Sequence, residues 1–234
     1  MSGRAVLRLF GLTAAVAVAP GAIAAQQIGG GIIVTPYMGV YVPTNDIAAV
    51  AVSEGGSSLT SSIKHQTALV SGLNVSYWLS NHLGVEAGGA YTKSGINASA
   101  TLDDGTGPIA ATGSQYAHVW LGSAKLMVQW MSQTSNLNFR LGLGPAIVSR
   151  AGSAYASDAE TTITGKTDVG GVVSLCSRLP VSNLIAIRLR AEDYMYKGKL
   201  GYESTTTPSD NFTFDSRFQH DLVFTAGLQL FLNR

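Results

Sequence analysis

Polar and apolar residues alternate along several segments of this chain, each roughly ten residues long. The stretch from Leu83 to Thr92 shows the pattern: Leu83, Val85 and Ala87 fall on one face, and Glu86 falls on the other. A period of two is the period of a β-strand, because successive side chains point to opposite sides of a sheet. The alternation therefore predicts an all-β protein.

Eight strands fit this pattern, and the segments that join them alternate in length. The strands are predicted at 32–42, 67–79, 83–93, 116–130, 137–149, 167–179, 184–197 and 220–232. Three connections are short and rich in turn-forming residues, whereas those near 43–66, 94–115, 150–166 and 198–219 are long and rich in Ser, Thr, Gly, Asp and Asn. Short turns on one rim and long loops on the other are typical of an up-and-down β-barrel of the bacterial outer membrane. A soluble β-sandwich, the alternative, gives no reason for its loops to be sorted in this way.

The N-terminus predicts export. Arg4 and Arg8 precede an apolar core, Pro20 ends that core, and small residues follow up to Ala24 or Ala25, where cleavage is expected. We therefore predict a signal peptide at 1–24 and a single β-barrel domain at 25–234, located in the bacterial outer membrane. After the signal there is no run of 18 apolar residues, so no transmembrane helix is expected.

Charge is sparse, and this narrows the possible partners. Charged residues make up 12% of the chain, about half the usual share of a soluble domain. Removing Arg4 and Arg8 from the 15 Lys and Arg leaves 13, against 14 Asp and Glu. The exported chain is thus nearly neutral, which argues against a basic surface for nucleic acid.

The predicted strands each have an apolar face and a polar face. The residues predicted to contact lipid are Val34, Met38, Val40, Leu69, Leu73, Val75, Leu83, Val85, Ala87, Ala124, Leu126, Val128, Leu137, Leu141, Leu143, Ile147, Val169, Val173, Leu175, Ile185, Ile187, Leu189, Phe224, Ala226, Leu228 and Leu230. The opposite face combines small residues with the charged residues Glu86, Lys125, Arg140, Asp168, Arg178, Arg188, Arg190 and Glu192. An eight-stranded barrel is just narrow enough for side chains to fill, so we predict that these charges form a paired network in the lumen. The alternative places them on the wet exterior of a soluble ligand-binding barrel.

Aromatic residues fall near the strand ends, where the membrane interfaces are expected. The predicted interface aromatics are Tyr77, Tyr91, Tyr116, Trp120, Trp130, Phe139 and Tyr194.

Two parts of the sequence do not fit the predicted arrangement of strands. Asp193 falls on the lipid face near the rim, and the apolar segment 47–52 lies inside the first long loop, where it could extend a strand, form a short helix or pack on itself.

The chain resembles the small bacterial outer-membrane barrels of the OmpA-transmembrane, OmpX and OmpW-like superfamily. The resemblance is carried by 33–41 (Ile-Val-Thr-Pro-Tyr-Met-Gly-Val-Tyr), by 77–86 (Tyr-Trp-Leu-Ser-Asn-His-Leu-Gly-Val-Glu) and by the last strand, 222–232. It implies contact with outer-membrane lipid and lipopolysaccharide, and insertion by the barrel-assembly machinery. One departure is the ending Phe231-Leu232-Asn233-Arg234, because such barrels commonly end on an aromatic residue.

Residue types that carry chemistry are few and scattered, so neither an enzyme nor a cofactor is predicted. His220, Asp221 and Ser216 could be combined into a rim constellation, but adjacent strand residues point to opposite faces. One Cys and four separated His show no metal-ligand spacing. The segment 103–107 (Asp-Asp-Gly-Thr-Gly) resembles the start of a calcium loop but lacks the later acidic ligand.

The expected function is a structural or surface-interaction role in the outer membrane, with the lumen filled. A narrow conduit for small or apolar molecules is the alternative, and an outer-membrane enzyme comes third. The oligomeric state is left open.

Overall fold

The computed structural model describes residues 31–232, except 55–56, 104, 131–137, 157–160, 183, 200, 205–211 and 214–216. The predicted signal peptide, the predicted lipid contact Leu137 and Ser216 lie outside the described residues. The strands are β1 (Ile32–Pro43), β2 (Ala48–Glu54), β3 (Ser57–His65), β4 (Ala68–Trp78), β5 (Leu83–Asp103), β6 (Pro108–Gln129), β7 (Asn138–Ala151), β8 (Thr161–Thr164), β9 (Thr167–Pro180), β10 (Ile185–Gly198), β11 (Gly201–Ser204), β12 (Phe212–Thr213) and β13 (Arg217–Phe231). A single 3-10 turn spans Ser153–Tyr155.

Eight of these strands form a closed antiparallel ring, in the order β1, β4, β5, β6, β7, β9, β10 and β13. Each ring strand pairs with the ring strands that precede and follow it along the chain. β13 then pairs with β1, from Ile33 opposite Phe231 to Pro43 opposite Asp221. The ring confirms the all-β class and the eight strands that the alternation predicts. Among the described residues, no helix is both long and apolar enough to cross a bilayer.

The ring is apolar on the outside. Its most exposed large apolar side chains are Leu69, Val169 and Met38, at 81%, 75% and 71%. None of the described residues predicted to contact lipid is buried in the ring interior. A water-soluble protein of this size would bury these side chains, because each Å² of apolar surface removed from water contributes about 25 cal/mol.

The long connections contain more strand than the sequence predicts. β5 and β6 continue about ten residues beyond their predicted ends, as a ribbon that turns near Gly105, and β3 pairs with the extension of β5. All of the apolar segment 47–52 except Ile47 lies in β2, which pairs with β3. Above the ring, most ribbon side chains are exposed on both faces. Residues 96–103 do alternate, with Ile96, Ala98, Ala100 and Leu102 on one face and Asn97, Ser99, Thr101 and Asp103 on the other, so the prediction of a loop at these residues is wrong. β8, β11 and β12 form a separate three-stranded sheet.

Two interior glycines make room for an aromatic ring. A Cβ at Gly72 would lie 2.5 Å from the Tyr37 ring, and a Cβ at Gly227 would lie 2.9 Å from the Tyr37 Cβ. Part of the small-residue content of the inner face thus accommodates large side chains that cross the interior.

Candidate functional site

The centre of the ring interior holds a cluster of ionised side chains, which we call the charge layer: Glu86, Lys125, Arg188, Arg190 and Glu192. Arg188, Arg190 and Glu192 lie at alternate positions of β10, and their side chains point into the ring. Glu86 points inward from β5 in the same way. Glu86 stands directly opposite Lys125 in the β5–β6 register. All five are almost completely buried.

Glu86 is the hub of the charge layer. Its Oε1 lies 3.0 Å from Lys125 Nζ and 3.2 Å from Arg190 Nη1, while its Oε2 accepts hydrogen bonds from Arg188 and, at 2.7 Å, from Ser76. Glu192 provides the second carboxylate, in contact with Lys125 and 3.5 Å from Arg190 Nε. Three cations therefore share two carboxylates across the middle of the ring.

A second group, the lower polar layer, lies at the ends of the strands that carry the short turns. It comprises Thr35, Trp78, Asn138, Arg140, Arg178 and Gln229, all buried. Arg140 donates to Gln129 Oε1 at 3.0 Å and stacks on Trp78, with its guanidinium carbon 4.5 Å from the ring centre. Arg178 lies over the Phe231 ring at 5.7 Å. Neither arginine forms an ion pair with a described carboxylate, so the prediction of a fully paired lumen is wrong for Arg140 and Arg178.

Toward the long loops the interior becomes apolar. This upper apolar layer consists of Tyr37, Tyr41, Val70, Ala90, Val119, Leu121, Ala146, Val148, Val172, Tyr194, Tyr196 and Val223. The prediction that Tyr194 is an interface aromatic is wrong, because Tyr194 is 2% exposed and lies inside the ring. The parity of β10 explains the error: Tyr194 follows Arg188, Arg190 and Glu192 at intervals of two and shares their inward face.

Three polar contacts cap the upper apolar layer. The Tyr41 and Tyr196 hydroxyls donate to Asp221 Oδ2 at 2.9 and 2.6 Å. Arg150 Nη1 donates to Asp168 Oδ2 at 2.6 Å. Sequence reasoning missed Arg150 because the strand was predicted to end one residue earlier. Asp221 was considered only for catalysis, although its parity with Val223 and Thr225 indicates an inward position.

Above this cap, β3 and the 3-10 turn contribute a buried pair outside the ring. The Tyr155 hydroxyl lies 3.0 Å from His65 Nε2. Burial, reinforced by the positive charge of Arg150, lowers the pKa of the His65 imidazole from about 6.5 to about 3. His65 is therefore neutral at physiological pH. Sequence reasoning assigned it to a loop and no signal marked it as buried.

The remaining predicted interface aromatics lie on the outside of the ring. Trp130, Tyr116, Trp120, Tyr77 and Phe139 are exposed and Tyr91 is partly exposed. Tyr91 packs on Trp120 with a ring separation of 4.7 Å, and its hydroxyl lies 2.6 Å from His118 Nδ1. The outer wall also carries a depression of about 540 Å³ between Met38, Phe139, Leu175, Leu189 and Phe224.

Of the residues considered for a catalytic rim constellation, His220 and Asp221 are described, and they point to opposite faces of the sheet. His220 points outward, where its Nδ1 lies 2.9 Å from Asp193 Oδ2, and Asp221 points into the ring. This contact with His220 explains how Asp193 is accommodated on the outer face. Within the described part of the chain, no group of three or more His, Cys, Asp or Glu could hold a metal ion. In the segment 103–107, Asp103 Oδ1 accepts the Gly105 N–H at 3.0 Å, an ordinary turn contact.

Comparisons with known proteins agree with this architecture. No protein-family model matches the chain, and no curated protein matches it. Among solved structures, the outer membrane protein OprG from Pseudomonas aeruginosa aligns with a TM-score of 0.57 at 13% identity, over 89% of this chain and 98% of that one. The outer membrane protein AlkL, determined in lipid bilayers, aligns with a TM-score of 0.56 at 14% identity, over 92% of this chain and 95% of that one.

This chain has the fold of outer-membrane β-barrel proteins. Each alignment covers about nine-tenths of this chain and almost all of the solved structure, so it includes the whole ring. The narrower OmpA, OmpX and OmpW-like assignment stays a prediction.

Proposed function

We propose that this protein is an integral β-barrel of the bacterial outer membrane, with a filled lumen and a structural or surface-interaction role. The observation that carries the proposal is the inversion of the ring: large apolar side chains face outward, and the charge layer is buried inside. In hydrocarbon every backbone N–H and C=O needs an internal partner, and a closed ring of strands provides one. The fold shared with OprG and AlkL supports the same environment.

The packing of the interior favours a filled lumen over an open pore. Side chains that line a water-filled channel are accessible to water, whereas Trp78, Arg140 and Tyr41 are at most 1% exposed. These three residues come from the lower polar layer and the upper apolar layer, on either side of the charge layer. Side chains thus close the lumen on both sides of the charge layer, as expected for a ring of eight strands.

The surface role is assigned to the four-stranded sheet formed by β2, β3 and the extensions of β5 and β6. It projects beyond the apolar band and exposes Ser and Thr hydroxyls, among them Ser99 and Thr112, which stand directly opposite each other on one face. Hydroxyl groups both donate and accept hydrogen bonds, which suits contact with the sugars of lipopolysaccharide. We assign no catalytic role to the protein.

Reconstitution tests the proposal. The chain without residues 1–24, refolded into phospholipid vesicles, should float with them, resist extraction by urea, and be cleaved by added protease only in the long connections. Recovery of a detergent-free, freely dispersed monomer with native sheet content would contradict the proposal.

A conduit for small or apolar molecules is the second candidate, and the upper apolar layer favours it. Such an interior would accept an apolar solute if its side chains moved apart. Ala90→Leu, which fills this layer, should then slow the entry of an apolar dye into proteoliposomes, whereas Ala87→Leu on the outer face of the same strand should not. Equal entry in both variants and in protein-free vesicles would eliminate the conduit.

A further inference from the structure

The lower polar layer contains more positive charge than its surroundings balance. The lower polar layer and the charge layer together bury five cations, Lys125, Arg140, Arg178, Arg188 and Arg190, against two carboxylates, Glu86 and Glu192. Both carboxylates are engaged by Lys125, Arg188 and Arg190. A buried charge without a partner is strongly unfavourable, so Arg140 and Arg178 require a negative group that no described side chain supplies.

The strand register brings these cations together. Arg178 stands directly opposite Arg188 on β10 and opposite Asn138 on β7. Arg140, opposite Cys176, is the diagonal neighbour of Arg178 on the same face of the sheet. Directly opposite residues have Cβ atoms roughly 5 Å apart and diagonal ones about 7–8 Å apart, within reach of arginine side chains.

Several hydrogen-bonding groups in this region have no partner among the described residues. They are Arg140 Nη2, Arg178 Nε and Nη1, Arg188 Nε, Trp78 Nε1, and the side-chain amides of Asn138 and Gln229. All of them belong to residues that are more than nine-tenths buried. Most are N–H donors, and buried donors in folded proteins are almost always satisfied.

We propose that the lower polar layer is a binding site for an oxyanion, specifically a phosphate group. Guanidinium groups match phosphate oxygens in charge and geometry, and they bind such groups through paired N–H donors. Arg140 and Arg178 form the charged part of the site, and the amides of Asn138 and Gln229 supply further donors. Arg178 is two residues from the end of β9, so the site lies near the short-turn rim. The phosphate comes either from solution or from a lipid headgroup. This inference rests on the register of the strands around the ring interior. It does not depend on the proposed surface role.

Phosphorus-31 NMR tests the site in protein held in a maltoside detergent, which contains no phosphorus. Orthophosphate is titrated in one arm, and phosphatidylglycerol is added to the micelles in the other. One bound phosphate per chain is expected in at least one arm, and the arm that responds identifies the source. Arg178→Gln should weaken binding about tenfold to a hundredfold, whereas Arg217→Gln, an exposed arginine on β13, should leave it unchanged.

Asn138→Asp tests the site without removing an arginine, so the result does not depend on whether the fold tolerates that loss. It places a carboxylate directly opposite Arg178. The variant should lose phosphate binding and should resist urea better than the wild-type protein in phosphate-free buffer. If phosphate binds in neither arm, the proposed site is wrong, and water satisfies these donors instead. Binding that is equal in the wild-type protein, Arg178→Gln and Asn138→Asp would overturn it as well.

Discussion

Glu86 and Lys125 face each other across the β5–β6 ladder, with Lys125 Nζ 3.0 Å from Glu86 Oε1 inside the ring. Neither side chain is more than 1% exposed. Their pairing connects two adjacent strands, and the contacts of Glu86 with Arg188 and Arg190 extend it to β10. The charge layer therefore links strands that are not neighbours in the ring.

Glu86→Gln should destabilise the ring. The substitution leaves Lys125, Arg188 and Arg190 with a single carboxylate, and removing one partner of a buried ionic network costs about 3–5 kcal/mol. Urea unfolding in detergent micelles measures the change. Asp193→Asn is the matched control, because its partly exposed pair with His220 contributes at most about 1 kcal/mol. Equal effects of the two substitutions would show that the charge layer is not a stabilising network.

Leu228→Arg should obstruct membrane insertion. Leu228 is exposed on the outer face of β13, and an arginine at mid-bilayer on that face costs about 2–4 kcal/mol. The yield of protease-resistant barrel in vesicles provides the measurement. Leu59→Arg on β3, outside the ring, is the control and should insert normally. Normal insertion of Leu228→Arg would mean that this face does not contact lipid.

Gly144→Ala should destabilise the β6–β7 pairing. A Cβ at Gly144 would lie 1.9 Å from the Ala124 carbonyl oxygen, so a strand must shift, and forced overpacking costs about 1–3 kcal/mol. Gly113→Ala is the control, because nothing lies within 4 Å of a Cβ at that position. Thermal unfolding of both variants distinguishes a tight contact from general glycine sensitivity.

His65 should remain neutral well below the pH at which an exposed imidazole is protonated. Its folded pKa of about 3 lies below the ordinary value of 6.5, so the stability of its packing is complete above pH 6.5 and falls as the pH decreases toward 3. The sign follows because the opened state takes up a proton that the packed state excludes. NMR titration of the imidazole measures the pKa, and amide exchange at Ile47, which donates to Ile63, reports opening. Protonation near pH 6.5 would show that His65 is exposed to solvent.

Sequence pattern predicts the ring because each ring strand has one apolar face and one inner face. The same rule applied along β10 assigns Arg188, Arg190 and Glu192 to one face. Tyr194 is two residues beyond Glu192, so the rule also places it on that inward face. The inward position of Glu86 is predicted in the same way. What parity cannot predict is which carboxylate each arginine reaches, because a side chain of that length spans several strands.

The β6 part of the ribbon beyond the ring could not be predicted for a different reason. Residues such as Ala111 and Ser114 are exposed although they lie within a strand, so burial imposes no alternation on them. Their strand conformation follows instead from pairing with β5, which a local pattern does not reveal. The buried contact of His65 with Tyr155 is similar, since 90 residues separate the two.

Planar-bilayer recording tests the filled lumen most directly. Purified protein whose insertion has been verified independently should produce no stepwise current in potassium chloride at moderate voltage, because the charge layer and the upper apolar layer close the ring interior. Glu86→Gln is recorded in parallel as a variant with a disrupted charge layer. Discrete, reproducible conductance steps from the wild-type protein would contradict the account.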